Sequence, residues 1–148
     1  MPETPPLTGQ QIGEAENAIR AVLDALLAET ETTFHQWVAL RVLAATESGL
    51  ELEQLVRRMT SGLKVERPSV LAAVGQLDAE ELVAVADNGD RNEVVALTDT
   101  GRARHRRIHD GVDRITRQLY GDLPVDDLVT TRRVLAIVTE RANAVLAG

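Results

Sequence analysis

Asp87-Asn88-Gly89-Asp90-Arg91-Asn92-Glu93-Val94-Val95-Ala96-Leu97-Thr98-Asp99-Thr100-Gly101 reads as a turn, a returning strand and the start of a helix. Asn88-Gly89 supplies the positive backbone angles that a two-residue hairpin turn requires. Leu82-Val83-Ala84-Val85-Ala86 before it and Val94–Leu97 after it have strand composition. Thr98 is placed to N-cap the helix that follows. Arg91 falls near the hairpin tip, where a charged side chain adds nothing to a core. Its plainer reading is a solubility residue, or an exposed ion pair with Asp90 or Glu93 worth only about 0–1 kcal/mol.

On the N-terminal side of this hairpin the apolar residues recur with helical spacing. Ile12, Ala15, Ile19, Val22, Leu23, Leu26 and Leu27 predict an amphipathic helix from Gln11 to about Glu29. After a break at Thr30–Thr33, a second helix runs from Phe34 to Thr46 with Trp37, Val38, Leu40, Val42 and Leu43 inward, and Gly49 closes it. Leu50–Met59 is a short third helix, and Thr60-Ser61-Gly62 reads as a turn. Pro68 then opens a fourth helix, to about Glu80, with Val70, Val74 and Leu77 as its core stripe. On the C-terminal side, Thr98 to about Tyr120 is a long helix. Gly121-Asp122-Leu123-Pro124 breaks it, and Asp126–Ala147 is a last helix.

The predicted class is therefore mainly α with a small β-hairpin. Four helices, a hairpin and two helices form one domain over residues 1–148. The central helices with the hairpin form a winged helix-turn-helix, and the hairpin tip lies where a DNA minor groove would be. The first helix and the last two are left with apolar stripes that a twofold-related copy would cover; an ordinary monomeric bundle is the other reading.

The composition narrows the functions. One Phe, one Trp and one Tyr leave the core to Ala, Leu and Val, which suits helices. No Cys is present, which excludes disulfides and thiolate metal sites. The polar, Pro/Thr-rich start does not resemble a signal peptide, and no apolar run reaches membrane-span length, so a soluble, cytoplasmic protein is expected. The net charge of −7 opposes nucleic acid, but it is unevenly spread. Residues 1–56 hold nine acids and two bases, whereas residues 57–107 hold eight acids and nine bases. The DNA-facing part is thus near neutral, and local charge governs phosphate attraction.

With Val70, Val74 and Leu77 inward, the fourth helix turns Ser69, Ala72, Gln76 and Ala79 outward. In a major groove Gln76 can pair with adenine, Ser69 can meet a phosphate or an early backbone amide, and Ala72 allows close approach or touches a thymine methyl. Arg57, Arg58, Lys64 and Arg67 are the phosphate partners at hand. The bland alternative makes Ser69 a first-turn residue and Gln76 a solvated side chain.

These residues resemble the MarR family of bacterial transcription regulators over about residues 10–146. Arg91, Leu97, Thr98 and Gly101 match the family's wing pattern, Leu77 with Leu82-Val83 matches the end of its recognition helix, and Phe34-His35-Gln36-Trp37-Val38-Ala39-Leu40 is similar to its second-helix opening. Glu81 stands where the family usually has Gly, and the outer face of the fourth helix lacks the usual arginines. The resemblance implies a winged-helix lobe over about 34–100, with dimerisation helices over about 10–30 and 101–147. It also implies a homodimeric, ligand-responsive repressor on a pseudo-palindromic operator in double-stranded DNA, released by a small aromatic or phenolic effector.

Phe34 and His35, with His105 from the long helix, are candidates to line that effector pocket; simple packing is the alternative. His105 and His109 stand four residues apart, a spacing that can hold a metal. Against it, the adjoining run Arg102-Ala103-Arg104-His105-Arg106-Arg107 repels a cation. No cofactor is expected. There is no nucleophile elbow, P-loop, dinucleotide glycine pattern or metalloprotease motif, so no enzyme is expected either. The remaining alternatives are a winged-helix protein-interaction module without DNA binding, and a metal-responsive regulator using His105 and His109.

Overall fold

The structure is a computed structural model that describes residues 3–87, 89 and 92–148. Its elements in chain order are α1 (Gly9–Ala28), α2 (Phe34–Ala44), β1 (Leu50–Glu51), α3 (Leu52–Leu63), α4 (Arg67–Ala79), β2 (Val83–Asp87), β3 (Glu93–Leu97), α5 (Asp99–Tyr120) and α6 (Val125–Ala147). They divide into two compact units, Met1–Val112 and Asp113–Gly148.

Local chemistry sets the helix starts in the first unit. Thr8 and Gln11 form a reciprocal capping box on α1, and Thr33 with Gln36 does the same on α2. Pro68 lies in the first turn of α4, where its missing N–H costs nothing. α2, α3 and α4 pack around Leu40, Leu43, Leu55, Met59, Val70 and Leu77, all essentially out of water. Each such side chain contributes roughly 1.5–3 kcal/mol through burial.

The sheet is antiparallel, in the order β1-β3-β2. Val83 pairs with Leu97 and Asp87 with Glu93. Asp87–Glu93 is the last pair of this register, and the two-residue turn expected at Asn88-Gly89 falls partly outside the described residues. Gly89 does take a positive φ of 94°, and its N–H donates to Asp87 Oδ1 at 3.0 Å. Asn88, Asp90 and Arg91 lie outside the described residues. The sheet also has a third strand: Leu50 and Glu51, expected to open the third helix, instead pair with Val95 and Val94.

A second correction concerns α3. Thr60-Ser61-Gly62 has turn composition but is helical, because buried Met59 and half-buried Leu63 continue the apolar face one turn further. The helix stops only at Lys64, which takes a left-handed φ of 57°.

The corner between the sheet and α5 is built on Thr98 and Gly101. Thr98 accepts the Gly101 N–H on Oγ1 at 3.0 Å, as an N-cap does, and the same hydroxyl donates to the Glu81 carbonyl at 2.7 Å. The Thr98 N–H donates to the Leu82 carbonyl at 3.1 Å. A Cβ on Gly101 would sit 1.9 Å from that carbonyl oxygen, so only glycine lets α5 start so close. Glu81 itself has a φ of 60°, the left-handed conformation that favours glycine after a helix.

The second unit holds the end of α5, the turn Gly121–Pro124 and α6. Pro124 stands at the N-cap of α6, and Asp126 and Asp127 lie in its first turn, where negative charge suits the helix dipole. No α6 residue is buried. Among the described residues no helix is long and apolar enough to cross a membrane.

Candidate nucleic-acid interface

α4 presents Ala72, Gln76 and Ala79 to water while Val70, Ala73, Val74 and Leu77 face the core. Ser69, in its first turn, is half-buried. The structure thus places three of the four outward candidates on one exposed face, with the fourth at its edge.

The nearby cations differ in how free they are. Arg57 and Lys64 are exposed, on α3 and at its C-terminal cap. Arg67 is exposed but engaged: its guanidinium donates to both oxygens of Glu53, at 2.6 and 2.7 Å. Those hydrogen bonds hold the Glu53 carboxyl below the usual carboxylate range. A groove of about 230 Å³ opens here, lined by Glu51, Leu52, Glu53, Arg67, Asn92 and Glu93. Arg91 lies outside the described residues.

Gln76 also has a partner. Its Oε1 accepts from Gln36 Nε2 at 3.1 Å, and Gln36, on α2, is only 5% exposed. Nothing in the local sequence marks this pair, because its members stand forty residues apart.

The effector candidates fall into two groups. Phe34 and His35 have ring centroids 6.2 Å apart, and the Arg20 guanidinium from α1 lies 3.4 Å above the centre of the Phe34 ring. Arg20 also pairs with Asp24 at 3.3 Å. His105 instead stacks on Trp37 at 5.5 Å, with an interplanar angle of 15°, and on His109 at 5.5 Å. Burial pushes the His105 pKa down, helped by the charges of His109, Arg106 and Arg102. Among the described residues no group of three or more histidines or carboxylates is arranged to hold a metal ion.

The arginine run on α5 has an architectural use. Arg102 donates to the Thr46 and Glu47 carbonyls at 3.3 and 3.2 Å, beyond the end of α2. Arg104 donates to the Thr30 carbonyl and the Thr32 hydroxyl at 3.1 and 3.3 Å, beyond the end of α1. Both guanidinium groups occupy loop carbonyls, and Arg20, Gln36, Arg102 and Arg104 are contributors that pattern reading did not single out.

This arrangement of helices and wing is found in solved regulators. The transcriptional regulator PcaV from Streptomyces coelicolor, solved with its natural ligand, superposes with a TM-score of 0.77 at 22% identity, over 96% of this chain and 99% of that one. MarR from E. coli, in its apo form, gives 0.69 at 21% identity, over 92% and 98%.

The chain has the MarR fold.

BpsR of Bordetella bronchiseptica, whose DNA binding is regulated by 6-hydroxynicotinic acid, shares the MarR arrangement with a TM-score of 0.75 at 21% identity, over 93% and 98%. No protein-family model and no curated protein matches the sequence. In this chain α4 follows α3 after the short turn Lys64–Glu66, and β2 and β3 pair as the antiparallel hairpin ahead of α5.

Proposed function

We propose that the chain is a DNA-binding transcriptional regulator of the MarR type. In this reading it acts in the cytoplasm as a homodimer, represses from a pseudo-palindromic operator and is released by a small aromatic acid. The observation that carries it is α4, which presents the exposed face Ala72-Gln76-Ala79 directly after the α3–α4 turn and ahead of the wing. Ser69, Ala72 and Gln76 would meet the major groove, Arg91 the minor groove, and Arg57, Lys64 and Arg67 the phosphates.

Apolar side chains left in water support a second copy. Ile19 and Val22 are exposed on α1, and Val129, Leu135, Val138, Val145 and Leu146 are exposed on α6. A twofold pair would set its recognition helices about one DNA turn apart, roughly 34 Å.

Arg20 above Phe34 supports the effector class. A ring at Phe34 and His35 with a carboxylate against Arg20 would join stacking to charge, and His105 beside Trp37 is a further lining candidate. BpsR's 6-hydroxynicotinic acid is a ligand of this kind. Such a ligand releases DNA only by binding the non-DNA conformation better.

The test is binding to a fragment of the gene's own upstream DNA between 50 and 200 mM salt. Steep weakening with salt is expected, and Arg91→Ala should lower both the affinity and the magnitude of the salt slope, the latter by about one. An unchanged slope in Arg91→Ala removes the wing contact. The Glu53–Arg67 pair favours one other reading, a winged-helix protein-interaction module, because it occupies a phosphate-binding cation. No shift of any genomic fragment at low salt would select that reading.

A further inference from the structure

We propose that Gln36, a residue of α2 that touches no base, decides which base edge Gln76 reads. This rests on α4 entering the major groove, as argued above.

The hydrogen bonds start from a backbone amide, which can only donate. The Thr33 N–H donates to Gln36 Oε1 at 2.8 Å, so the other end of that side-chain amide, Nε2, faces α4. Nε2 in turn donates to Gln76 Oε1 at 3.1 Å. Donors and acceptors alternate outward from Thr33, and both amides are oriented by that order. Gln36 is buried, so reversing it would set N–H against N–H away from water. Gln76 therefore has its carbonyl turned back to α2 and its NH₂ group available to a ligand. Its exposed neighbours Ala72 and Ala79 are too short to supply another polar group.

A glutamine with both ends free pairs with adenine, accepting from N6 and donating to N7. With its carbonyl engaged, Gln76 offers donors. Guanine is the complementary base, because its N7 and O6 both accept. The geometry assigns Gln76 a preference for guanine over adenine and makes Gln36 the positioning residue for that choice.

The test is selection of bound duplexes from a randomised pool with the full chain. Wild type is compared with Gln76→Ala, Gln36→Glu and Gln36→Met. Gln76→Ala locates the base position that depends on Gln76, and wild type should prefer guanine there. In Gln36→Glu the carboxylate still accepts the Thr33 N–H but must also accept from Gln76, which turns the Gln76 carbonyl outward. The preference should move from guanine toward the bases that present an amino donor, adenine and cytosine, by roughly tenfold in relative affinity.

Gln36→Met keeps the length without the polar end and should flatten the preference at that position alone. It carries the test by itself if the buried carboxylate of Gln36→Glu prevents folding. An adenine preference in wild type overturns the proposal, as does the same preference in wild type and Gln36→Met; in either case DNA binding stands. Failure of wild type to enrich any duplex at low salt overturns the DNA reading and this assignment with it.

Discussion

Arg67 holds both carboxylate oxygens of Glu53 across the α3–α4 turn, at 2.6 and 2.7 Å. Both groups are exposed, so the pair adds little to stability. Its effect is on availability: the first cation of α4 already has an anionic partner.

Glu53→Gln should therefore tighten DNA binding several-fold at low salt and steepen the salt dependence by about one counterion. Titrating a labelled operator fragment at several salt concentrations reads both. Weaker binding in the variant would mean that Glu53 aims Arg67 at the phosphate. The acid-side behaviour has a definite sign. Arg67 depresses the Glu53 pKa, so the pair is complete at neutral pH and is lost only as pH falls through that lowered value.

Glu81 occupies a left-handed conformation at φ 60° directly before the wing. Left-handed geometry costs a side-chain-bearing residue roughly 1–2 kcal/mol, and glycine gives part of that back as extra freedom in the unfolded chain. Glu81→Gly should leave the protein about 0.5–1 kcal/mol more stable, read as a higher urea midpoint at unchanged m-value. A lower midpoint would show that the Glu81 side chain contributes more than its backbone costs.

His105 is half-buried between Trp37 and His109, and its pKa is lowered, chiefly by burial. A histidine lowered on folding stabilises the neutral form. Its contribution is complete above the unfolded-state pKa and falls away as pH drops through the folded one. His105→Phe keeps a ring on Trp37 but cannot take a proton. Between pH 7 and pH 5 the variant should lose less Tm than wild type, and equal losses would remove His105 from the acid-side response.

The helices were legible because their apolar spacing is long and regular, and the wing because Val94-Val95-Ala96-Leu97 is followed at once by a cap at Thr98. β1 was not legible, since two residues carry no period and Leu50-Glu51 becomes a strand only by pairing with β3. The end of α3 was hidden because Thr60, Ser61 and Gly62 have loop propensity, overridden by the packing of Met59 and Leu63. Asn88-Gly89 is a strong local turn signal, but the register of the strands around it is set by which residues pair across the sheet, from Val83–Leu97 to Asp87–Glu93. In the candidate site, the exposed face of α4 followed from helical period alone. The partners of its side chains did not: Glu53 and Arg67 stand fourteen residues apart and Gln36 and Gln76 forty, so only the fold brings them together.

Thr98 and Gly101 tie the end of α4, the last strand of the wing and the start of α5 into one joint, through a hydroxyl, a carbonyl and the absence of a methyl group. None of those atoms belongs to the exposed face of α4. The molecule therefore keeps its joinery apart from its outward face. Ala72 and Gln76 can be exchanged for other side chains without loosening the joint, whereas a change at Thr98 or Gly101 would shift α4, the hairpin and α5 together.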